Sequence, residues 1–407
     1  MKKLLIIGFV LPEPKSSAAG SRMLQLIELF KKHEFDTTFV TSANDSDKAF
    51  DLSLIGVKAE SIALNDTSFD AYVKKLNPDV VLFDRFMTEE QFGWRVAEQC
   101  PNALRLLDTE DFHGLRKGRE AALKKNESFD IKHLQNDTTK REIASMYRCD
   151  LSLIISEAEI DILTQQLKVD DNLLHYLPFL QEPTSEIESL PKFEERQHFI
   201  TIGNFLHSPN YDAVVYLKTE IWPLIKEQLP KAEMHIYGAY ESQKVSQLHN
   251  ENDGFLIKGF AEDVNKVMQT ARVCLAPLRF GAGLKGKLID AMQNATPCVV
   301  STIAAEGMFG ATAPNGFVED LPASFAEQAV SLYNDETLWK SKQDRGFTTL
   351  RQRFDIYQFA SKFETKIQYL SQNIKKHRQQ NFIGQVLMHH SLQSTKYMSK
   401  WIEAKNK

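Results

Sequence analysis

The alternation of short apolar runs with helix-period segments constrains this chain more than any other feature. Strand-length runs at 4–11, Thr37–Thr41, Val80–Phe83, Leu104–Leu107 and Leu151–Ile155 are interleaved with helical patterns such as Arg22–Lys32, Glu89–Glu98 and Thr138–Tyr147. Strands alternating with helices at this spacing imply a parallel sheet with helices on both faces. Between 181 and 197 the chain turns rich in Pro, Ser and Glu and loses periodicity, which marks a linker. A second series follows: strand Phe199–Gly203, helix Asp212–Glu227, strand Glu233–Tyr237, helix Glu241–Leu248, strand Phe255–Lys258, helix Glu262–Thr270, strand Val273–Ala276, helix Lys285–Gln293 and strand Pro297–Ser301. At 407 residues the chain also exceeds the size at which one core keeps growing. The expectation is an α/β protein of two doubly wound, Rossmann-like domains facing one cleft, with ligands beyond the carboxyl ends of the strands. Residues 1–180 and 198–355 would form the two domains around the linker 181–197, and 356–407 a set of C-terminal helices with a basic tail.

One turn has the composition of an anion site. Pro277-Leu278-Arg279-Phe280-Gly281-Ala282-Gly283-Leu284-Lys285-Gly286-Lys287-Leu288-Ile289-Asp290 is an apolar run ending in a glycine-rich turn that enters a helix. Glycines let backbone N–H groups approach an anion closely, and a helix start adds roughly half a positive charge. Lys285, Lys287, Arg279 and the amides of Gly281 to Gly283 would together suit a phosphate. Two lysines two positions apart share a side only if the helix begins between them. Lys285 is preferred over Lys287 as the group that stabilises a departing phosphate.

With its flanks, this turn resembles the C-terminal domain of nucleotide-sugar glycosyltransferases, the retaining group called family 4. The landmarks occur in the family's order: Ile202-Gly203-Asn204-Phe205 with His207-Ser208-Pro209-Asn210, then Trp222-Pro223, Met234-His235-Ile236-Tyr237-Gly238 and Gly259-Phe260-Ala261-Glu262-Asp263. Val273-Cys274-Leu275-Ala276-Pro277 precedes the turn itself, and Thr296-Pro297-Cys298-Val299-Val300 and Ala305-Glu306-Gly307-Met308 follow it. The resemblance implies a GT-B-type architecture. It also implies transfer, with retention, from a UDP- or GDP-sugar to a carbohydrate, lipid or protein acceptor. A nucleotide-sugar epimerase and a non-catalytic sugar-binding module share that architecture and are the alternatives. In the resembled site two glutamates stand in an E-x7-E pattern, the second contacting the ribose. Here the second position is Asp290, one methylene shorter, and the first is Ala282. By the same resemblance Asn204 and His207 border the donor, Gly259-Phe260 meets the nucleobase, and Glu306 faces the donor sugar.

In the first half, the loop Pro12–Arg22 resembles the one that approaches the donor phosphate. Gly20 would give close approach and Arg22 charge, although a surface turn capped by Ser21 explains the same residues. After the strand Leu104–Leu107 comes Asp108-Thr109-Glu110-Asp111-Phe112-His113-Gly114-Leu115-Arg116-Lys117-Gly118-Arg119, an acid/His/Arg cluster at a strand's carboxyl end. There His113 would orient a hydroxyl or share a proton, with Asp111 holding the acceptor or tuning His113.

The formal net charge of −5 argues against nucleic acid as a partner. The four cysteines, far apart and without a C-x-x-C pair, read as buried thiols in a reducing compartment. No D-x-D pair in a plausible loop and no dense His/Asp cluster signals a metal, so no cofactor is expected and lysines take the cation's place. No run is long enough to span a bilayer. The expected location is the cytoplasm, with peripheral membrane contact as the one qualification. Its source would be the tail from Ser371, where seven Lys/Arg stand against one acid with apolar residues at helical spacing. That tail would either pack back onto the N-terminal domain, as in the resembled fold, or adsorb to anionic lipid or a partner.

Overall fold

The structure, a computed structural model, describes residues 2–182 and 190–405. The middle of the expected linker, 183–189, lies outside the described residues. Seven parallel strands form the first sheet: β1 Lys2–Gly8, β2 Phe35–Thr41, β3 Lys58–Ser61, β4 Val80–Asp84, β5 Leu104–Asp108, β6 Leu151–Ile154 and β7 Leu174–Tyr176. Their order is β3-β2-β1-β4-β5-β6-β7. Six more form the second: β8 Gln197–Ile202, β9 Met234–Tyr237, β10 Phe255–Gly259, β11 Ala271–Ala276, β12 Cys298–Val300 and β13 Gly316–Val318, ordered β10-β9-β8-β11-β12-β13. The strand order therefore reverses once in each all-parallel sheet, between β1 and β4 and between β8 and β11, which opens a crevice at the carboxyl ends there.

Central strands such as Val80–Asp84 are buried along their whole length, and Val80–Phe83 is accordingly a continuous apolar run. The strands that sequence reading missed, β3, β7 and β13, include all but one of the sheets' edges. A strand like Lys-Ala-Glu-Ser at 58–61 faces water and shows no apolar run. Helix limits also shifted. The helix expected over Asp212–Glu227 starts at Ser208 and widens into a π-type turn at Leu217–Ile221, just before Pro223 breaks the ladder. The one expected over Glu241–Leu248 is only Gln243–Ser246, and that expected at Lys285 begins at Gly286.

The last two helices, Ile356–Gln380 and Phe382–Lys405, lie against the first sheet's side of the molecule. Phe363 packs edge-on against Phe30 at 5.2 Å. Arg378 clasps Asp150 at 2.7 and 2.8 Å, and buried Arg95 meets Glu403 at 2.5 Å. The opposite side of the final helix leaves Phe382, Ile383, Val386, Tyr397, Met398 and Trp401 exposed.

Candidate functional site

Four contacts across the cleft identify the loops that meet. Tyr240 donates to both Glu13 oxygens at 2.8 and 2.6 Å, and Arg353 reaches Glu157 at 2.5 Å. Arg119 binds Glu306 through two hydrogen bonds of 2.8 and 2.6 Å and also donates to the Gly281 carbonyl at 2.9 Å. The amide of Gly283 donates to Glu159 at 2.7 Å. The glycine turn thus lies in the crevice, gripped by the other domain.

Within that turn Gly283 has φ +65°, and a Cβ there would lie 2.8 Å from Asp111 Cβ, so both conformation and space demand glycine. Lys285 occupies the capping position of the helix Gly286–Gln293 and Lys287 its second residue, so the helix does begin between them. The Lys285 ammonium folds back to donate to the carbonyls of Ala282 (3.1 Å) and Gly283 (2.6 Å). Lys287 donates to Asn210 Oδ1 at 2.8 Å. Burial pushes both ammonium groups down to about 8, and it pushes the Asp290 carboxyl up to about 7 against the pull of Lys287. Among the described residues no group donates a hydrogen bond to the Asp290 carboxylate, which leaves it available to a ligand hydroxyl. One buried and one half-buried cation at a helix start make a ready site for a diphosphate.

The loop after β8 completes this wall. Asn210 donates to the Asn204 carbonyl at 2.9 Å and packs on Gly203, where a Cβ would come within 2.7 Å of the Asn210 amide. His207 precedes the helix Ser208–Tyr216. Burial, helped by Arg116, pushes it down to about 4, so it is a neutral imidazole near pH 7, close to Asp111 and both lysines. Gly259 closes β10, and the ring of Phe260 lies under the Lys48 ammonium of the first domain at 4.6 Å.

On the facing wall His113 Nδ1 lies 3.0 Å from Asp111 Oδ1 and 3.4 Å from Glu142 Oε1. Burial alone would lower the imidazole, but Asp111 and Glu142 outweigh it and raise it. Burial also opposes the Asp111 carboxylate, yet Arg116 at 2.8 Å, His113 and His207 hold it well below the usual carboxylate range. Asp111 and His113 are therefore brought together as one charged unit. Arg85, with φ +71°, directly follows β4, and Glu110, with φ +63°, comes two residues after its partner β5, so strained backbone gathers on this wall.

Three expected site residues are otherwise engaged. Arg22 is fully buried in an ion pair with Asp108 at 2.7 Å and donates to the carbonyls of Leu177 and Pro178, so it braces the first domain and has no reach to a donor. Gly20 is required because a Cβ would lie 2.4 Å from the Glu13 carbonyl carbon, a packing reason; the helix it opens is capped by Ser17, not Ser21. Arg279 is held by Asp212 at 2.5 Å over the Tyr216 ring at the outer rim. Glu306 does reach the cleft, but as the partner of Arg119. Sequence reading gave no role to Arg116, Arg119 or Glu159. The last follows β6 in Ser156-Glu157-Ala158-Glu159, and an acid just past a strand's carboxyl end was the available signal.

Comparison with known proteins bears on the second domain and on the fold. Residues 196–335, the segment holding the second sheet and the glycine turn, match the family described as Glycosyl transferases group 1. No curated relative matches the sequence significantly. Among solved structures, a Staphylococcus aureus TarM variant in complex with fondaparinux, α-GlcNAc-glycerol and UDP superposes with TM-score 0.69 at 12% identity, covering 90% of this chain and 100% of that one. Anabaena HepE in complex with UDP-glucose gives 0.65 at 13%, covering 92% and 100%. The pneumococcal O-GlcNAc transferase GtfA with UDP and GlcNAc gives 0.67 at 12%, covering 91% and 99%. At such identities the likeness is one of fold.

Proposed function

We propose that this chain, a glycosyltransferase by its group 1 domain and two-domain fold, moves a sugar with retention from a nucleoside-diphosphate sugar to a hydroxyl acceptor, without a metal. One observation carries the reading: the buried ammonium of Lys285 and the half-buried Lys287 stand at the start of the helix Gly286–Gln293 with Asp290 beside Lys287, and Lys285 lies close to Asp111 of the other domain. Sugar transfer builds negative charge on the departing diphosphate, and preorganised cations with backbone amides stabilise it. Lys285 and Lys287 supply that charge. Asp290 accepts from the ribose hydroxyls, and His113, fixed by Asp111, orients the acceptor hydroxyl. The UDP complexes of the superposable proteins favour UDP over GDP. Metal independence follows within this reading from Lys285 and Lys287, which place cationic charge at the helix start where a metal would otherwise serve the diphosphate.

The reading extends to a cytoplasmic enzyme at a membrane surface acting on a lipid-linked acceptor. No described helix is long and apolar enough to cross a membrane. However, the exposed aromatic side of Phe382–Lys405, with Lys400 and Lys405 on its flanks, suits an anionic bilayer. A screen of UDP- and GDP-sugars for nucleotide release, with and without EDTA, tests the donor and the metal. Release abolished by EDTA and restored by a divalent ion would refute the lysine site. NMR of donor incubated alone, showing an altered sugar, would mark an epimerase instead.

A further inference from the structure

Glu159 belongs to the first domain, in the short helix Glu157–Asp161, and its side chain is completely buried. One of its oxygens, Oε1, accepts two hydrogen bonds from opposite sides of the cleft: from Phe112 N at 2.8 Å and from Gly283 N at 2.7 Å. Those amides belong to the two loops that carry the chemistry, one directly before His113 and the other two residues before Lys285. We propose that Glu159 is a positioning residue, a latch that holds the cleft shut and thereby gives the glycine turn the shape in which it receives the diphosphate. The inference rests on the donor site proposed above.

The turn is held at both ends by the first domain. Arg119 takes the Gly281 carbonyl at 2.9 Å, Glu159 takes the Gly283 amide, and Asp111 walls in the left-handed Gly283 between them. Opening the cleft would strip the Gly283 amide of its acceptor while the Phe112 amide, in the same domain as Glu159, kept its own; that loss opposes opening, and it would free the turn to relax. The other oxygen, Oε2, has no partner among the described residues, so the carboxylate's use is concentrated in these two bonds. Ala282, where the E-x7-E pattern would place its first acid, sits in the first domain's core instead, and the acid touching this turn comes from across the cleft.

The full-length chain decides the matter with Glu159→Ala and Glu159→Gln. Glutamine keeps a carbonyl oxygen able to accept from both amides; alanine does not. By small-angle scattering of the unliganded proteins, Glu159→Ala should be more open than wild type and Glu159→Gln equally compact. By calorimetric titration with UDP and GDP, alanine should weaken affinity about tenfold or more, with glutamine within about threefold of wild type. A side chain that served stability alone would lower the melting temperature without moving these readouts. Wild-type compactness and affinity in Glu159→Ala, or an open Glu159→Gln, would overturn the latch. If wild type binds neither nucleotide, the donor reading fails, and the scattering comparison still decides whether Glu159 closes the cleft.

Discussion

Lys285→Met should raise or preserve stability while removing most activity. Burial brings this ammonium from 10.5 down to about 8 in the folded protein. At ~1.4 kcal/mol per tenfold, that fall means the folded state bears a cost of about 3 kcal/mol for keeping the charge. The unfolded chain binds the proton more tightly, so the cost is present in full below about 8 and disappears as pH rises toward 10.5. Methionine, of similar length and apolar, avoids it at every pH. Against this stand the two hydrogen bonds to Ala282 and Gly283, each contributing about 1 kcal/mol, so the net gain near pH 7 is ~1 kcal/mol, or ~2–4 °C in Tm. The same substitution removes a cation from the departing diphosphate, costing about 3 kcal/mol of transition-state stabilisation, roughly a hundredfold in rate. Thermal melts at pH 7 and pH 9.5, with nucleotide release at saturating donor, check both. A Tm lowered by several degrees with turnover nearly unchanged would refute the argument and make Lys285 a brace for the turn. If Lys287→Met alone abolished turnover, the two lysines would have to exchange roles.

Asp290, pushed up to about 7, ionises only above that value, so donor KM should improve as pH rises through 7; Asp290→Asn should flatten that limb in a pH series of donor KM, and a persisting limb would remove Asp290 from the ribose. Arg22→Met leaves Asp108 buried without its partner and should cost about 3–5 kcal/mol in denaturant unfolding, with donor affinity of the folded fraction unchanged; a selective rise in donor KM would return Arg22 to the site. Trp401→Ser combined with Tyr397→Ser, both exposed, should abolish sedimentation with anionic vesicles while Tm stays put, whereas deletion from Ser371 should lower Tm because it strips Arg378 from Asp150 and Glu403 from Arg95. Retained vesicle binding in the double variant would dismiss the membrane surface.

What the sequence determined by itself was the frame. Strand-length, Val-rich apolar runs such as Val80–Phe83 mark strands covered on both faces, and that pattern is a local fact written into adjacent residues. The anion turn was equally legible, because glycines followed by lysines at a helix start carry their chemistry in adjacent positions. Edge strands such as Lys58–Ser61 left no trace, since a strand half in water needs no apolar pattern. Tertiary structure decided what each charge is for. Arg22 and Lys285 look alike in sequence as cations beside glycines, yet one faces Asp108 across 86 positions and is neutralised in the core, while the other faces only carbonyls and more distant acids in the cleft. Glu159 meets Gly283 from 124 positions away. The first pairing depends on how one sheet's helices and strands pack and the second on how the two domains close on each other, and no local pattern encodes either.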